Sequence, residues 1–308
     1  MRYHLLRQAG ALMRKYKIMQ ADVFAKKALE GNPCAVVFDA DDLNYEEMLA
    51  VAREMNLSET VFIKKSSDCD FRPHYFTPRE EIPLAGHPTI ATVHCLIEAG
   101  IIDISALPKT ISLQLSAGKI RVDVEAYEGG FRIVMYQLKP VFMRTYQAAE
   151  IMPLFKLSVS DAMPGVPIQT VSTGTPMLMI PLKNLDALRR AEMDVSLYVE
   201  FKSRSDFFSP HLFCLEGATP EGDTFARHFG IPPDTFEDPF TGSASGCMIS
   251  YLWHYGLIEQ AHIIAEQGHW MQRPGQTRLE VVGPRDNIES VKLFGQAITV
   301  LEGQLLLP

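Results

Sequence analysis

The chain has 308 residues, 47% of them apolar and 21% charged, with a formal net charge of −8. That length allows two domains with cores of their own, and the balance is that of a globular protein in water. The acidic balance, with no long Lys/Arg run beyond the first residues, argues against nucleic acid as a partner, and no uninterrupted apolar run reaches membrane-spanning length.

Residues 1–17 carry Arg2, Arg7, Arg14, Lys15 and Lys17 and no acid. They lack the apolar segment of a secretion signal. They read as a dispensable extension or an early start, with Met13 and Met19 as alternative starts, rather than as a targeting segment. The first strand is predicted over Ile18–Phe24. A loop through Gly31-Asn32-Pro33 leads to a strand at Ala35–Phe38. Asn44, followed three residues later by Glu47, is a capping-box start, and Met48, Leu49, Val51, Ala52 and Met55 give that helix an apolar face ending near Asn56. Strands follow at Glu59–Ile63 and Arg72–Phe76. Beyond a first long helix come strands at Ile111–Leu115, Lys119–Glu125 and Phe131–Met135, with hairpin turns at Ala117-Gly118 and Gly129-Gly130. Leu138–Pro140 marks the expected domain crossing. In the second half, strands at Thr170–Ser172 and Leu178–Ile180 flank Gly174-Thr175-Pro176, and Leu185–Met193 reads as a short helix. His211–Leu215, Thr224–Phe229, Ile263–Ala265 and Arg278–Val282 read as strands, and Ala297–Leu307 as a hairpin turning at Glu302-Gly303. Many strands and one long helix in each half make a mixed α+β pattern.

Two stretches repeat one design in ungapped register. Glu81-Ile82-Pro83-Leu84-Ala85-Gly86-His87-Pro88 matches Glu237-Asp238-Pro239-Phe240-Thr241-Gly242-Ser243-Ala244, and each helix that follows closes near a matched glycine, Gly100 and Gly256. Pro88 suits a first helical turn, and Ser243, Ala244, Ser245 and Gly246 are small enough to let a ligand approach free backbone N–H groups. Two such helix starts facing one cleft would hold a carboxylate or phosphate. His87, placed between the glycine and the helix, is a cap or packed histidine on one reading, and its position favours the other, exposure in that cleft. Asp238 has two readings, a turn residue or a proton donor and acceptor beside Gly242. Glu59 sits at a strand mouth; it is solvated there, or, if buried in a cleft, its pKa rises and it serves as a general acid or base.

The five cysteines, Cys34, Cys69, Cys95, Cys214 and Cys247, are odd in number and widely spaced. They fit reduced thiols in a cytoplasmic protein. The nine histidines make no metal-binding pair, and neither a dinucleotide fingerprint nor a Gly-x-Ser-x-Gly elbow is present. His94 is expected to pack, and Cys247 to be a buried small hydrophobe.

Asp22-x-Phe24, Gly31-Asn32-Pro33, Asn56-Leu57-Ser58-Glu59-Thr60, Phe76-Thr77-Pro78, Gly86-His87-Pro88-Thr89 and Glu237 to Ala244 occur in one order that resembles the PhzF family of phenazine-biosynthesis isomerases and their relatives. The resemblance runs from about residue 18 to the end. It implies a diaminopimelate-epimerase-like α+β fold: two pseudo-symmetric domains, each wrapping a strongly curved sheet around a central helix, with the site between them. The expected division is an extension (1–17), an N-terminal domain (18–137, joined by about 298–308) and a C-terminal domain (138–297). The resemblance further implies isomerisation of the trans-2,3-dihydro-3-hydroxyanthranilate type without cofactor or metal, and a homodimer. By motif, Glu59 is the acid/base, His87, Asp238 and Ser243 its partners, and Gly86, Gly242, Ser243 and Ala244 the substrate-binding loops. The substrate is then a small carboxylate within which a proton is shifted. Racemases and epimerases of that fold place a cysteine before each loop glycine; here Ala85 and Thr241 stand there, which disfavours a two-thiol racemase. A non-catalytic binding protein is the remaining alternative, against which Glu59, His87 and Asp238 stand together, since binding needs only the amides.

Overall fold

The computed structural model describes residues 13–231 and 233–308. In chain order the first elements are β1 (Arg14–Val23), β2 (Asn32–Val37), α1 (Tyr45–Met55), β3 (Glu59–Lys64), β4 (Arg72–Phe76), β5 (Glu81–Ile82) and α2 (Gly86–Glu98). Then come β6 (Lys109–Leu115), β7 (Gly118–Tyr127), β8 (Gly130–Gln137), β9 (Val141–Tyr146), α3 (Ala148–Ile151), β10 (Ile168–Ser172), β11 (Pro176–Pro181), α4 (Leu185–Arg190), α5 (Val195–Lys202), β12 (Ser209–Cys214), β13 (Thr224–Phe229) and β14 (Glu237–Asp238). The last are α6 (Gly242–His254), β15 (His262–Gln267), β16 (Gly275–Val282), β17 (Ser290–Gly295) and β18 (Ala297–Leu307).

They form two sheets. One runs β18-β1-β2-β3-β4-β5, and the other runs β6-β7-β8-β17-β16-β15-β13-β12-β11-β10-β9 with β14 on β13. The ladder from β8 to β17 joins strands from either side of the expected crossing near Leu138. Helices α2 and α6 are apolar nearly all round and buried along almost their whole length, as a helix inside a core must be. One continuous core holds residues of both, including Ile90, Leu96, Ala244 and Leu252, together with Phe24 and Leu293. Truncating Leu96 or Leu252 to alanine would cost about 2–5 kcal/mol.

The sequence repeat is a structural repeat. A two-residue strand precedes each helix, at Glu81–Ile82 and at Glu237–Asp238, and both helices are 13 residues long. Both close on a left-handed glycine, Gly100 at φ +70 and Gly256 at φ +69, and in both the N–H that follows folds back, from Ile101 to the Leu96 carbonyl and from Leu257 to the Leu252 carbonyl. That is the helix stop a Cβ-free residue permits. The capping box of α1 is formed by Asn44 and Glu47, and its end is Asn56 in the left-handed region.

Two expectations fail together at the termini. Ala297–Leu307 is one continuous strand, not a hairpin: Gly303 pairs with Ile18 and Glu302 with Met19. Its partner begins at Arg14, so residues 14–17 belong to β1, and the rest of the expected extension, 1–12, lies outside the described residues. A Glu-Gly pair bends a strand only when no partner ladder holds it straight; here Lys17 also reaches Glu302 at 2.8 Å. A Cβ on Gly303 would meet nothing within 4 Å. Gly303→Thr should therefore leave the urea midpoint unchanged or raise it slightly, within about 0.5 kcal/mol; a clear drop would point to a turn. Elsewhere the predicted helix Leu185–Met193 stops at Arg190. Helix α5 and strands β9 and β17 escape sequence-based prediction, because short segments with mixed exposure carry little periodicity.

Candidate active site

The N-cap residues of α2 and α6, Ala85 and Thr241, line a cavity of about 70 Å³ with Ser58, Glu59, Asp238 and Ser243. Pockets for drug-sized ligands are typically about 300–1,000 Å³, so this one suits a compact ligand rather than a nucleotide. Neither helix start has a side-chain cap, and neither has an acidic residue in its first turn. Ala85 has nothing to offer, and the Thr241 hydroxyl is turned away to donate to Asp238 Oδ2. Helix α1, by contrast, is fully capped and carries Glu46 and Glu47 in its first turn. The chain thus leaves two positive helix ends without a capping side chain, each worth about 0.3–1 kcal/mol to a bound carboxylate.

Glu59 opens β3, beside Cys34 of the parallel strand β2. Its side chain is 16% exposed and lies with Oε2 3.1 Å from His87 Nε2. Burial, then the charges of Asp238 and Asp234, hold its carboxyl well above the usual carboxylate range. His87 is 2% exposed, so the expectation of an exposed histidine is corrected: the ring is wedged between Asn32 and Glu59. Burial pushes it down to about 4, against the opposing pull of Asp238, so it is neutral at pH 7. Its tautomer follows from Asn32. That amide nitrogen faces Asp238 Oδ1 and the Phe240 carbonyl, both at 2.8 Å, and lies 3.2 Å from His87 Nδ1. Two acceptors fix the amide orientation, so Nδ1 can only accept and the ring proton sits on Nε2, facing Glu59. The approach of Nε2 to Oε2 is not aligned as a hydrogen bond, and both atoms are buried without another partner among the described residues. Such atoms are rare in native proteins and call for an explanation.

Asp238 is a junction. Oδ1 accepts from Asn32 at 2.8 Å and from the Ser58 hydroxyl at 2.6 Å, Oδ2 accepts from Thr241, and its carbonyl accepts from Gln267 at 2.7 Å. It ties the segment before Glu59 to the start of α6. Ser243 lines the cavity, whereas Gly86, His87, Gly242 and Ala244 are not among its lining residues. Gly86 and Gly242 meet each other instead: a Cβ on Gly86 would lie 2.8 Å from Gly242 Cα. Ala244 is fully buried in the core.

Sequence reasoning assigns no role to Asn32, Ser58, Ser209 or His228. Asn32 has a visible signal in hindsight. It follows Gly31, at φ +60, where a Cβ would strike the Val23 carbonyl. The turn is clamped by Arg273, which donates to the Gly31 carbonyl and to buried Asp22 at 2.8 Å each. Cys34 and Cys247 are fully buried, and burial raises both thiols, Cys247 to about 11; neither lines the cavity.

The sequence pattern of the PhzC-PhzF family, phenazine biosynthesis-like protein, matches residues 21–303. This chain belongs to the PhzC-PhzF family. The uncharacterized isomerase YfhB of Bacillus subtilis is 34% identical over 93% of this chain and 97% of its own. A trans-2,3-dihydro-3-hydroxyanthranilate isomerase of Pseudomonas chlororaphis is 31% identical over 96% of this chain and all of its own. The crystal structure of a Bacillus anthracis phenazine biosynthesis protein of the PhzF family superposes with a TM-score of 0.83 at 30% identity, over 96% and 100% of the two chains. A hydroxyproline epimerase from Agrobacterium vitis, 11% identical, shares the fold at a TM-score of 0.66 over 96% and 93% of the chains. The fold of this PhzC-PhzF family member is thus α+β and diaminopimelate-epimerase-like, as expected. Among the described residues no helix is long and apolar enough to cross a membrane.

Proposed function

We propose that the chain is a PhzF-type isomerase that shifts a proton within a small carboxylate, with Glu59 as acid and base and with no cofactor. The observation that carries this reading is the pair of buried, unpartnered atoms, Glu59 Oε2 and His87 Nε2, 3.1 Å apart beside two uncapped helix starts. The substrate carboxylate rests at the uncapped starts of α2 and α6, where Ala85, Thr241 and Ser243 line the cavity. Glu59, ionised, takes a proton from one carbon; protonated, it returns that proton to another. One group serves both steps because the substrate is held with one face toward it. Burial raises the carboxyl and so favours its protonated form, which a general acid requires. His87 Nε2–H stabilises the Glu59 carboxylate or charge developing on the substrate. Asp238 holds Asn32, Ser58 and Thr241 in place.

The test is direct. Incubation with trans-2,3-dihydro-3-hydroxyanthranilate, and with a panel of unsaturated, hydroxy and oxo acids, in the presence of EDTA and no added cofactor should give a product of unchanged mass from at least one acid. No conversion of any acid by folded protein would overturn the reading.

A further inference from the structure

The cavity wall carries a buried histidine pair that the reaction above does not use. Ser209, His211 and His228 are 5%, 0% and 6% exposed, and Ser209 and His228 line the cavity together with Met177. His211 Nδ1 lies 3.3 Å from His228 Nδ1, His228 Nε2 lies 2.8 Å from Ser209 Oγ, and Ser209 Oγ lies 3.2 Å from Met177 Sδ. Burial lowers both rings, His228 to about 4, so both are neutral and each carries one proton.

Two neutral arrangements satisfy the Nδ1 to Nδ1 contact. In one, His228 donates to His211, which leaves the His211 proton on Nε2. In the other, His211 donates to His228, and His211 Nε2 is a bare lone pair. His211 Nε2 is buried without a partner among the described residues. The Met177 thioether can only accept, so the single Ser209 proton goes to it and Ser209 accepts from His228 Nε2–H, which selects the second arrangement. His228 Nδ1 then accepts from His211. The thioether that takes the Ser209 proton is a weak acceptor.

We propose that Ser209 is a substrate-binding donor for an oxygen acceptor, carbonyl or enolate, on a substrate that also bears the carboxylate, and that His228 and His211 are positioning residues that fix its polarity. The inference rests on the carboxylate reading above and narrows it to acids with a second oxygen function. A ligand oxygen replaces the thioether as acceptor, a neutral weak contact exchanged for a stronger one. Ser209 reaches the cavity as a neutral hydroxyl donor, so it fits an acceptor oxygen rather than an ammonium group, which can only donate.

Two measurements test this. In ¹⁵N-histidine-labelled protein, long-range ¹H–¹⁵N correlation should show His228 protonated on Nε2 and His211 on Nδ1; the reverse pair of tautomers overturns the assignment without any ligand. Calorimetric titration with anthranilate and 3-hydroxyanthranilate, which differ by one oxygen, should show the oxygenated acid bound about tenfold more tightly. Ser209→Ala should abolish that preference and leave anthranilate affinity unchanged. His228→Phe should weaken it while the methyl spectrum stays native-like. Equal affinities in the natural protein, or a preference retained in Ser209→Ala, overturns the proposal. Binding of neither acid overturns the carboxylate reading beneath it, and the tautomers still decide the direction of the chain.

Discussion

Glu59→Gln is expected to lower turnover by about 10²- to 10⁴-fold, the usual contribution of a positioned acid or base, while ligand affinity stays within a few-fold. The amide keeps the shape of the carboxyl, and on the proposed reading the substrate carboxylate is held elsewhere, at the uncapped starts of α2 and α6. Loss in kcat with little change in KM is the signature of a group needed only for the chemical step. Full turnover in a variant that binds ligand normally would remove Glu59 from the reaction. The same substitution has a second, independent consequence. The Glu59 carboxyl is raised from its ordinary value of 4.5 by burial and by Asp238 and Asp234, so the folded state holds that proton more tightly than the unfolded chain. Its stabilising contribution is present below the unfolded pKa and is lost as pH rises through the folded one. The amide of the variant has no proton to lose in this range. Urea midpoints of the two proteins should therefore coincide below about pH 4, and the variant should become the more stable as pH rises toward neutrality. A variant less stable at pH 7 would mean that the carboxylate has a partner the geometry does not reveal.

The parts of the molecule legible in sequence are those where one residue type has one physical reason to be there. The matched glycines show the two central helices, since Gly100 and Gly256 end them at positive φ and Gly86 and Gly242 let their starts approach. Asn44 and Glu47 show the capped start of α1. Glu59, His87, Asp238 and Ser243 do converge, with Ser243, Glu59 and Asp238 on the cavity and His87 behind it. What was illegible depends on long-range pairing. β1 starts at Arg14 because β18 lies alongside it, Arg14 facing Leu307 at the other end of the chain, and neither segment alternates cleanly. Asn32 matters because Phe240 and Asp238, from the other half, present acceptors to its amide. Ser209 and His228 sit in ordinary apolar strand runs, where a histidine reads as a packed residue; only the fold brings the two strands together and turns both residues to the cavity. His87 misleads in the opposite direction. Its place after a glycine suggests exposure, yet the close approach of the two helix starts buries it.

That close approach makes Gly86→Ala the substitution with the largest expected effect on the frame of the site. A Cβ there would stand 2.8 Å from both Cα and the carbonyl carbon of Gly242 and 2.9 Å from the Ser243 backbone nitrogen. These are backbone atoms of a buried helix, with no side chain free to swing aside. On the far side Gly242 is backed by Leu293 and the Phe24 ring, each so near that an added Cβ there would lie 2.9 and 3.1 Å from them. The strain must move one helix start against a closed core, and such overpacking costs about 1–3 kcal/mol or somewhat more. The urea midpoint should fall accordingly. Turnover should fall further than stability explains, because α2 carries His87 and α6 carries Ser243, and even a small displacement would separate the two helix starts proposed to hold one carboxylate. Gly130→Ala is the control. It sits in the β7–β8 hairpin outside the left-handed region, its nearest neighbour would be the Tyr127 carbonyl at 3.8 Å, and both stability and turnover should be close to those of the natural protein. If Gly86→Ala behaves like Gly130→Ala, the two helix starts are not in contact in solution, and the shared anion site loses its basis.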